Sequence, residues 1–301
     1  MSRSGRVSVV VPVYNGEAYI RSCIEALFAQ TVPVDEILVM NDGSTDGTES
    51  VVRQFDTSIV QQVVLAHQGV VAARSTGIRK ATGDFVGFCD ADDRWLPSKL
   101  EKQMDVIKDA DLVHTNTFIV RGGRRVGDWY AEENVHPMSG TGANLLPFLF
   151  DRNQINGSSV LVRRDILLRA LAVPIDPAQC LDIDYPLWLY LLEIGARFKA
   201  ISEPLVERYM HEGQMTEKHY LNKRFQEYTL RTFLLRNPSF IKQHPWLVRK
   251  KFVKTLIKMA IERKRELGRP FPVGGLTAIL LETLVRGWPR HSFEEQVGNS
   301  V

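Results

Sequence analysis

The run from Val7 to Val13 is almost wholly apolar and rich in β-branched residues. A strand of that composition is buried on both faces, and such strands belong to parallel sheets covered by helices. Tyr14, Asn15 and Gly16 break the run. Tyr19, Ile20, Cys23, Ile24, Leu27 and Phe28 then recur at helical spacing, with Asn15 or Gly16 near the cap and Pro33 closing the segment. A second strand pattern, Glu36 to Met40, ends in the polar loop Asn41 to Thr48. Strand, helix, strand and polar loop make a βαβ unit. Ligands in open α/β sheets bind beyond the carboxyl ends of such strands.

The pattern continues. A third strand is expected near 63–66, a helix over 70–80 with Arg74 in its first turns, and a buried strand at 84–89. Leu100, Met104 and Ile107 mark a helix, 111–120 a further strand, and Gly122-Gly123 a hairpin. From about 127 to 177 the pattern is irregular, with a short helix over 144–150 and a strand at 157–162 that rejoins the sheet. Leu187, Trp188, Leu191 and Leu192 define the next helix. Asp182 would cap it, Asp184 falls in its first turn, and Pro186 sits where a missing N–H costs little. Residues 198–201 and 205–209 read as edge strands.

Beyond about Met215 the composition shifts. Residues 246–267 read as a basic helix with Val248, Phe252, Leu256 and Ala260 in one apolar row and Val253, Ile257 and Ile261 in a second beside it. Residues 276–285 read as another apolar helix. The expected division is a first domain over 1–215 and a helical extension over 216–301. With 44% hydrophobic residues a full core is available, and a net charge of +3 argues against a dedicated nucleic-acid binder. Three cysteines, Cys23, Cys89 and Cys180, are too few and too scattered for a zinc knuckle or a disulfide framework and fit a reducing compartment. The N-terminus lacks the apolar core of a signal peptide, and no apolar run approaches the roughly 20 residues that span a bilayer. A cytoplasmic protein is expected.

The chemistry concentrates in Cys89-Asp90-Ala91-Asp92-Asp93, three carboxylates at the end of a strand. Such a cluster repels itself unless something neutralises it. An Asp-x-Asp pair suits Mg²⁺ or Mn²⁺, held by one or two carboxylates and completed by phosphate and water. The plain alternative is an acidic turn that opens a helix at Pro97. The Asp42, Ser44, Asp46 spacing invites a calcium loop, but Arg53 stands where a bidentate Glu is required, and the loop follows a strand. Presentation of Asp42 to a ligand at the strand end fits better.

Three stretches in order, Val9 to Asn15, Asn41 to Thr48 and Gly83 to Trp95, resemble family 2 glycosyltransferases. The resemblance covers roughly 6–215. It implies the GT-A fold, a Rossmann-like, mostly parallel sheet flanked by helices, here with a C-terminal helical extension. It implies transfer of a sugar from a nucleotide-diphosphate donor to an acceptor hydroxyl with inversion, with Mn²⁺ or Mg²⁺ as cofactor. By similarity Asp92 is the first metal ligand, Asp90 assists it or meets the ribose together with Ala91, and Asp93 is structural, capping the next helix. Pro12, Val13, Tyr14 and Asn15 match the residues around the nucleobase, and Asp42 its acceptor carboxylate, for which a uracil N3–H is a natural donor. Arg74 matches an arginine that braces Asp42 or meets a phosphate. Counting back from Trp188 puts Asp184 at the position of the general base, with Ile183 where the family carries Glu and Asp182 in reserve. His211 matches a residue near the diphosphate or metal, and Glu212 to Thr216 a loop that closes over the donor.

The acceptor implied is a glycan or lipid-linked glycan, in polysaccharide, glycolipid or glycoconjugate synthesis. Two readings stay open for the basic helix: a solvated outer face, or a peripheral contact with the inner face of a membrane. A sugar-phosphate nucleotidylyltransferase would need a glycine-rich loop after the first strand, and Pro12 to Gly16 supplies none. A nucleotide- or carbohydrate-binding scaffold without turnover is the rival from another class. Asp42, Asp90, Asp92 and Asp184 together argue against it.

Overall fold

In a computed structural model, which describes residues 5–172, 183–211 and 219–268, the chain divides into two compact units. One comprises the chain up to Leu146, Asn153–Pro177 and Asp182–His211. The other holds Pro147–Arg152 together with the chain beyond His211.

The strands of the first unit are β1 (Val7–Val13), β2 (Glu36–Asn41), β3 (Val60–Val64), β4 (Phe85–Phe88), β5 (Asp93–Trp95), β6 (Leu112–Arg121), β7 (Arg124–Asp128), β8 (Leu161–Arg163) and β9 (Phe198–Met210). They form one sheet in the order β3-β2-β1-β4-β8-β6-β9-β5, with β7 paired to β6. The β3-β2-β1-β4 half is parallel throughout. Antiparallel pairings enter at β8, at the β6–β7 hairpin and at β5. β1 is buried at every position, as its composition demands.

Helices α1 (Ile20–Phe28), α2 (Thr48–Val52), α3 (Val70–Lys80), α4 (Lys99–Val106) and α5 (Trp129–Glu132) alternate with these strands. They are followed by α6 (Gly142–Asp151), α7 (Arg164–Ala170) and α8 (Asp184–Glu193). α1 turns Ile20, Cys23, Ile24 and Leu27 into the core, the periodicity that predicts it. The hairpin after β6 places Gly122 at φ 55° and Gly123 at φ 75°, left-handed values that favour glycine at both positions.

Several expectations need correction. The third strand lies at 60–64 rather than 63–66. Residues 157–159 form a 3₁₀ turn, and only 161–163 are strand. The two expected edge strands are one long strand, β9. It pairs parallel to β6 along most of its length and antiparallel to β5 over Val206–Arg208, so this part lies inside the sheet. Thr115 pairs with Ile201 and Asn116 with Pro204, so the polar Ser202 and Glu203 that read as a break are taken up by a register shift within the strand. The acidic stretch does not run directly into a helix. It first makes β5, whose Trp95 packs against Gly87, where an added Cβ would stand 2.5 Å from the ring's Cη2.

The second unit contains α9 (His219–Arg236), α10 (Pro238–Gln243) and α11 (Pro245–Leu267). Phe150, Phe233 and Phe240 pack together with ring centroids 5.0 to 5.6 Å apart. The expected first row of α11 is buried at Val248, Phe252 and Leu256. The second row is not a packing face: Ile257 and Ile261 are exposed. Asp182, the loop at 212–216 and the helix expected at 276–285 lie outside the described residues.

Candidate active site

The three clustered carboxylates go three separate ways. Asp90 ion-pairs with the Arg74 guanidinium through Nη2, and its backbone N–H donates to Ser158 Oγ at 3.0 Å. Asp92 Oδ2 lies 3.0 Å from His211 Nε2. Asp93 turns into the protein, where Oδ2 accepts from the Ser158 hydroxyl at 2.6 Å. Burial, and after it the Asp92 and Asp90 carboxylates, push the Asp93 carboxyl well above its ordinary value. Asp93 therefore does not cap a helix; it stands in β5 and ties the acidic turn to the 3₁₀ turn that carries Ser158. Trp95 Nε1 donates to the Ser158 carbonyl at 2.8 Å and closes the same tie.

Arg74 is 3% exposed and enters from α3. Its Nη1 lies 2.8 Å from Asp184 Oδ1. One guanidinium thus joins the strand-end Asp90 to Asp184, the first residue of α8, which lies 110 positions beyond Arg74 in the sequence. The planar fork of arginine suits two carboxylates approaching from different sides. Asp184 is also 3% exposed. The backbone of residue 157 lies so close that a Cβ there would be 1.9 Å from Asp184 Oδ2, so only glycine fits. The N-terminal end of α8 adds positive potential to that of Arg74 at this carboxylate.

The C-terminal ends of β1 and β2 build the neighbouring part of the site. Asp42 accepts from Gln68 N–H and Gly69 N–H, each at 2.8 Å, and His67 Nδ1 stands 3.2 Å from Asp42 Oδ2. The carboxylate is buried and fixes the turn that leads into α3. Pro12 and Val13 are buried at the end of β1. Tyr14 emerges half-exposed and stacks on His67 with centroids 4.1 Å apart. Asn15 takes a left-handed φ of 50°. Its N–H donates to Ser44 Oγ at 2.9 Å and its Oδ1 accepts from Thr45 N–H at 2.8 Å. Gly16 N–H donates to Thr48 Oγ1 at 2.9 Å, and Glu17 N–H to Asp46 Oδ2 at 3.0 Å. The oxygens that resemble a calcium loop therefore lace two loops together. A Cβ on Gly16 would lie 3.8 Å from that of Ala91, which brings the first loop beside the acidic turn.

Among the described residues, no group of three or more His, Cys, Asp or Glu side chains is placed to hold a metal. The Asp92–His211 pair nevertheless offers one carboxylate oxygen and one imidazole nitrogen 3.0 Å apart, both a quarter exposed. A divalent ion that binds through one or two protein donors and takes phosphate and water for the rest fits this donor set. Tyr19 stacks on His211 with centroids 4.6 Å apart and holds the ring toward Asp92.

The fold therefore brings Asp90, Ala91, Asp92 and His211 to one turn, Arg74 and Asp184 to its inner side, and Pro12 to Asn15 with Asp42 to the adjoining loops. Sequence reasoning missed Gly157, Ser158, His67 and Tyr19. Ser158 and Gly157 sit in a Gly-Ser-Ser run whose only sequence signal is turn chemistry.

A family model described as Glycosyl transferase family 2 matches residues 8–167. The UDP-Glc:alpha-D-GlcNAc-diphosphoundecaprenol beta-1,3-glucosyltransferase WfgD of Escherichia coli is 30% identical over 156 residues, 50% of this chain and 62% of that protein. The match covers only 33%, 32% and 34% of three further glycosyltransferase relatives. Among solved structures, S. aureus TarS 1-349 in complex with UDP superposes with a TM-score of 0.57 at 18% identity, covering 94% of this chain and 92% of that one. The mannosyltransferase PcManGT from Pyrobaculum calidifontis, in complex with GDP-Man and Mn²⁺, gives 0.59 at 19% identity, with 98% and 86% covered. At these identities the likeness is one of fold, and the fold is GT-A.

Proposed function

The chain belongs to glycosyl transferase family 2, and we propose that it moves a sugar from a nucleotide-diphosphate sugar, a UDP-sugar first, to an acceptor hydroxyl with inversion. The acceptor class is a glycan or lipid-linked glycan in polysaccharide or glycoconjugate synthesis. The transfer is assigned to residues 1–215, with 216–301 as the helical extension. The observation that carries the proposal is the Arg74 bridge. It holds Asp90 and Asp184 on a single guanidinium, which supports a site where the donor-side turn adjoins the proposed base.

In this mechanism the acceptor oxygen attacks the anomeric carbon as its proton passes to the Asp184 carboxylate. The bond from that carbon to the diphosphate breaks, and its electron pair leaves on the nucleoside diphosphate. Asp92 and His211 would hold Mn²⁺ or Mg²⁺, with Asp90 beside them. The ion supplies charge neutralisation for the diphosphate. Tyr14 and His67 offer aromatic faces to the base, with Pro12, Val13, Asn15 and Ala91 around the nucleoside, and Asp42 holds the turn beneath. Arg74 orients Asp184 and Asp90 against each other.

A binding scaffold without turnover is the second reading, favoured by one fact: Asp184 is nearly inaccessible. Incubation with UDP-Glc, UDP-GlcNAc and GDP-Man in Mn²⁺, followed by detection of released nucleoside diphosphate, separates the two. Release that disappears in Asp184→Asn, with nucleotide binding retained, is the expected result. Tight binding with no release from any donor, with or without glycan acceptors, would establish the scaffold.

A further inference from the structure

The helix α11 has two faces of opposite character. Val248, Phe252, Leu256 and Met259 are fully buried and fix it within its unit. On the other side Trp246 is 79% exposed, Ile257 45% and Ile261 58%, with Val253 partly exposed beside them. At 3.6 residues per turn these four project within an arc of roughly 80°, which the neighbouring cations widen to about 140°. Lys250, Lys254, Lys258, Lys264 and Arg265 are exposed within that wider arc. The two carboxylates of the helix, Glu262 and Glu266, fall outside it.

Exposed aliphatic side chains cost free energy in water, and the cations beside them repel one another, with Glu262 meeting Arg265 at 3.8 Å at the end of the row; a surface that carries both favours a partner satisfying both. A nucleic acid would satisfy the lysines and leave Ile257 and Ile261 without apolar contact. An anionic bilayer surface does both: its phosphates meet the ammonium groups, and the headgroup–acyl boundary accepts Trp, Ile and Val. Lysines reach outward past the apolar row on flexible stems, and Trp is the side chain best suited to that boundary. No helix among the described residues is long and apolar enough to cross a membrane, so the contact lies in the interface plane.

We propose that this face of α11 is a docking surface for an anionic phospholipid membrane, with Trp246, Ile257 and Ile261 entering the headgroup boundary and the lysines meeting lipid phosphates. The inference stands apart from the assigned chemistry and is tested without it.

The test is flotation of the full chain with vesicles of phosphatidylcholine alone and with about 30% phosphatidylglycerol. Partition is expected only to the anionic vesicles, weakened at about 0.5 M salt. Ile257→Ser with Ile261→Ser, and separately Lys254→Glu with Lys258→Glu, should each lower it about tenfold or more. Inorganic phosphate should not displace the protein from vesicles. A blue shift of tryptophan emission on anionic vesicles, absent in Trp246→Phe, reads the same contact without destabilising changes. Three results would overturn the proposal: no partition at low salt, partition indifferent to the isoleucine pair, or duplex DNA held more tightly than vesicles with the isoleucine variant unaffected.

Discussion

A Cβ placed on Gly157 would stand 1.9 Å from the Oδ2 of Asp184. The turn that supplies Ser158 to the acidic cluster thus also forms the wall against which the candidate base rests. Gly157→Ala should push the carboxylate off its seat. A misplacement of this order lowers turnover about hundredfold, with nucleotide binding unchanged. Nucleoside diphosphate release against a UDP thermal-shift titration measures the two separately, and an alanine variant with full turnover would remove Asp184 from the base position.

Arg74 lies between two carboxylates, and removing it takes away the guanidinium that pairs with the buried Asp184. Breaking a buried pair from one side costs about 3 kcal/mol or more. Arg74→Met should lower the unfolding midpoint sharply. Arg74→Lys keeps the charge yet reaches one carboxylate at a time. Adding Asp184→Asn to Arg74→Met should recover part of the loss, with a coupling of about 1–3 kcal/mol. Purely additive single and double variants in urea unfolding would show that the bridge is not an energetic unit.

Removal of the metal tests the Asp92–His211 pair. UDP with Mn²⁺ should raise the melting temperature of the protein, and EDTA should remove the increment. At about a hundredfold excess over Kd a ligand adds about 2.7 kcal/mol. Asp92→Ala should lose the Mn²⁺-dependent part, and Asp184→Asn should keep it. An Asp92→Ala protein that retains the full Mn²⁺ response would place the ion elsewhere.

His114 gives stability a pH dependence remote from these carboxylates. It is fully buried in β6, with Nε2 3.2 Å from Met138 N–H and Nδ1 3.3 Å from the Tyr130 hydroxyl. Burial lowers its pKa from 6.5 to about 4. Between these values the unfolded chain binds the proton and the folded chain does not, so stability falls as pH drops from 6.5 toward 4 and is unaffected above 6.5. The full effect is about 3 kcal/mol. His114→Phe should flatten that part of the stability profile in denaturant titrations from pH 7 to 4.5, and an unchanged slope would assign it to carboxylates.

β1 and the strand end that carries Asp90 were legible because burial on both faces demands apolar runs, and polar loops must follow them. Asp184 is singled out by the family resemblance, through its spacing to Trp188, and its role as base is a proposal; what the structure adds is its contact with Arg74. β5 was not legible, since three residues hold no period, and the strand exists because Trp95 packs against Gly87 and β9 pairs with it. The partner of Arg74 was equally hidden: a contact across 110 positions leaves no local trace. Gly157 reads as an ordinary turn glycine until a carboxylate is seen against it. In α11 the periodicity was plain, but two adjacent apolar rows look alike in sequence, and only packing decides which is covered.

The cross-ties between Asn15–Glu17 and Ser44–Thr48 run in both directions, main chain of one loop to side chain of the other. Neither segment can be transplanted from a relative alone without stranding donors in its counterpart. An engineered exchange of either segment therefore calls for both as a matched cassette, and natural drift in one is expected to leave a compensating mark in the other.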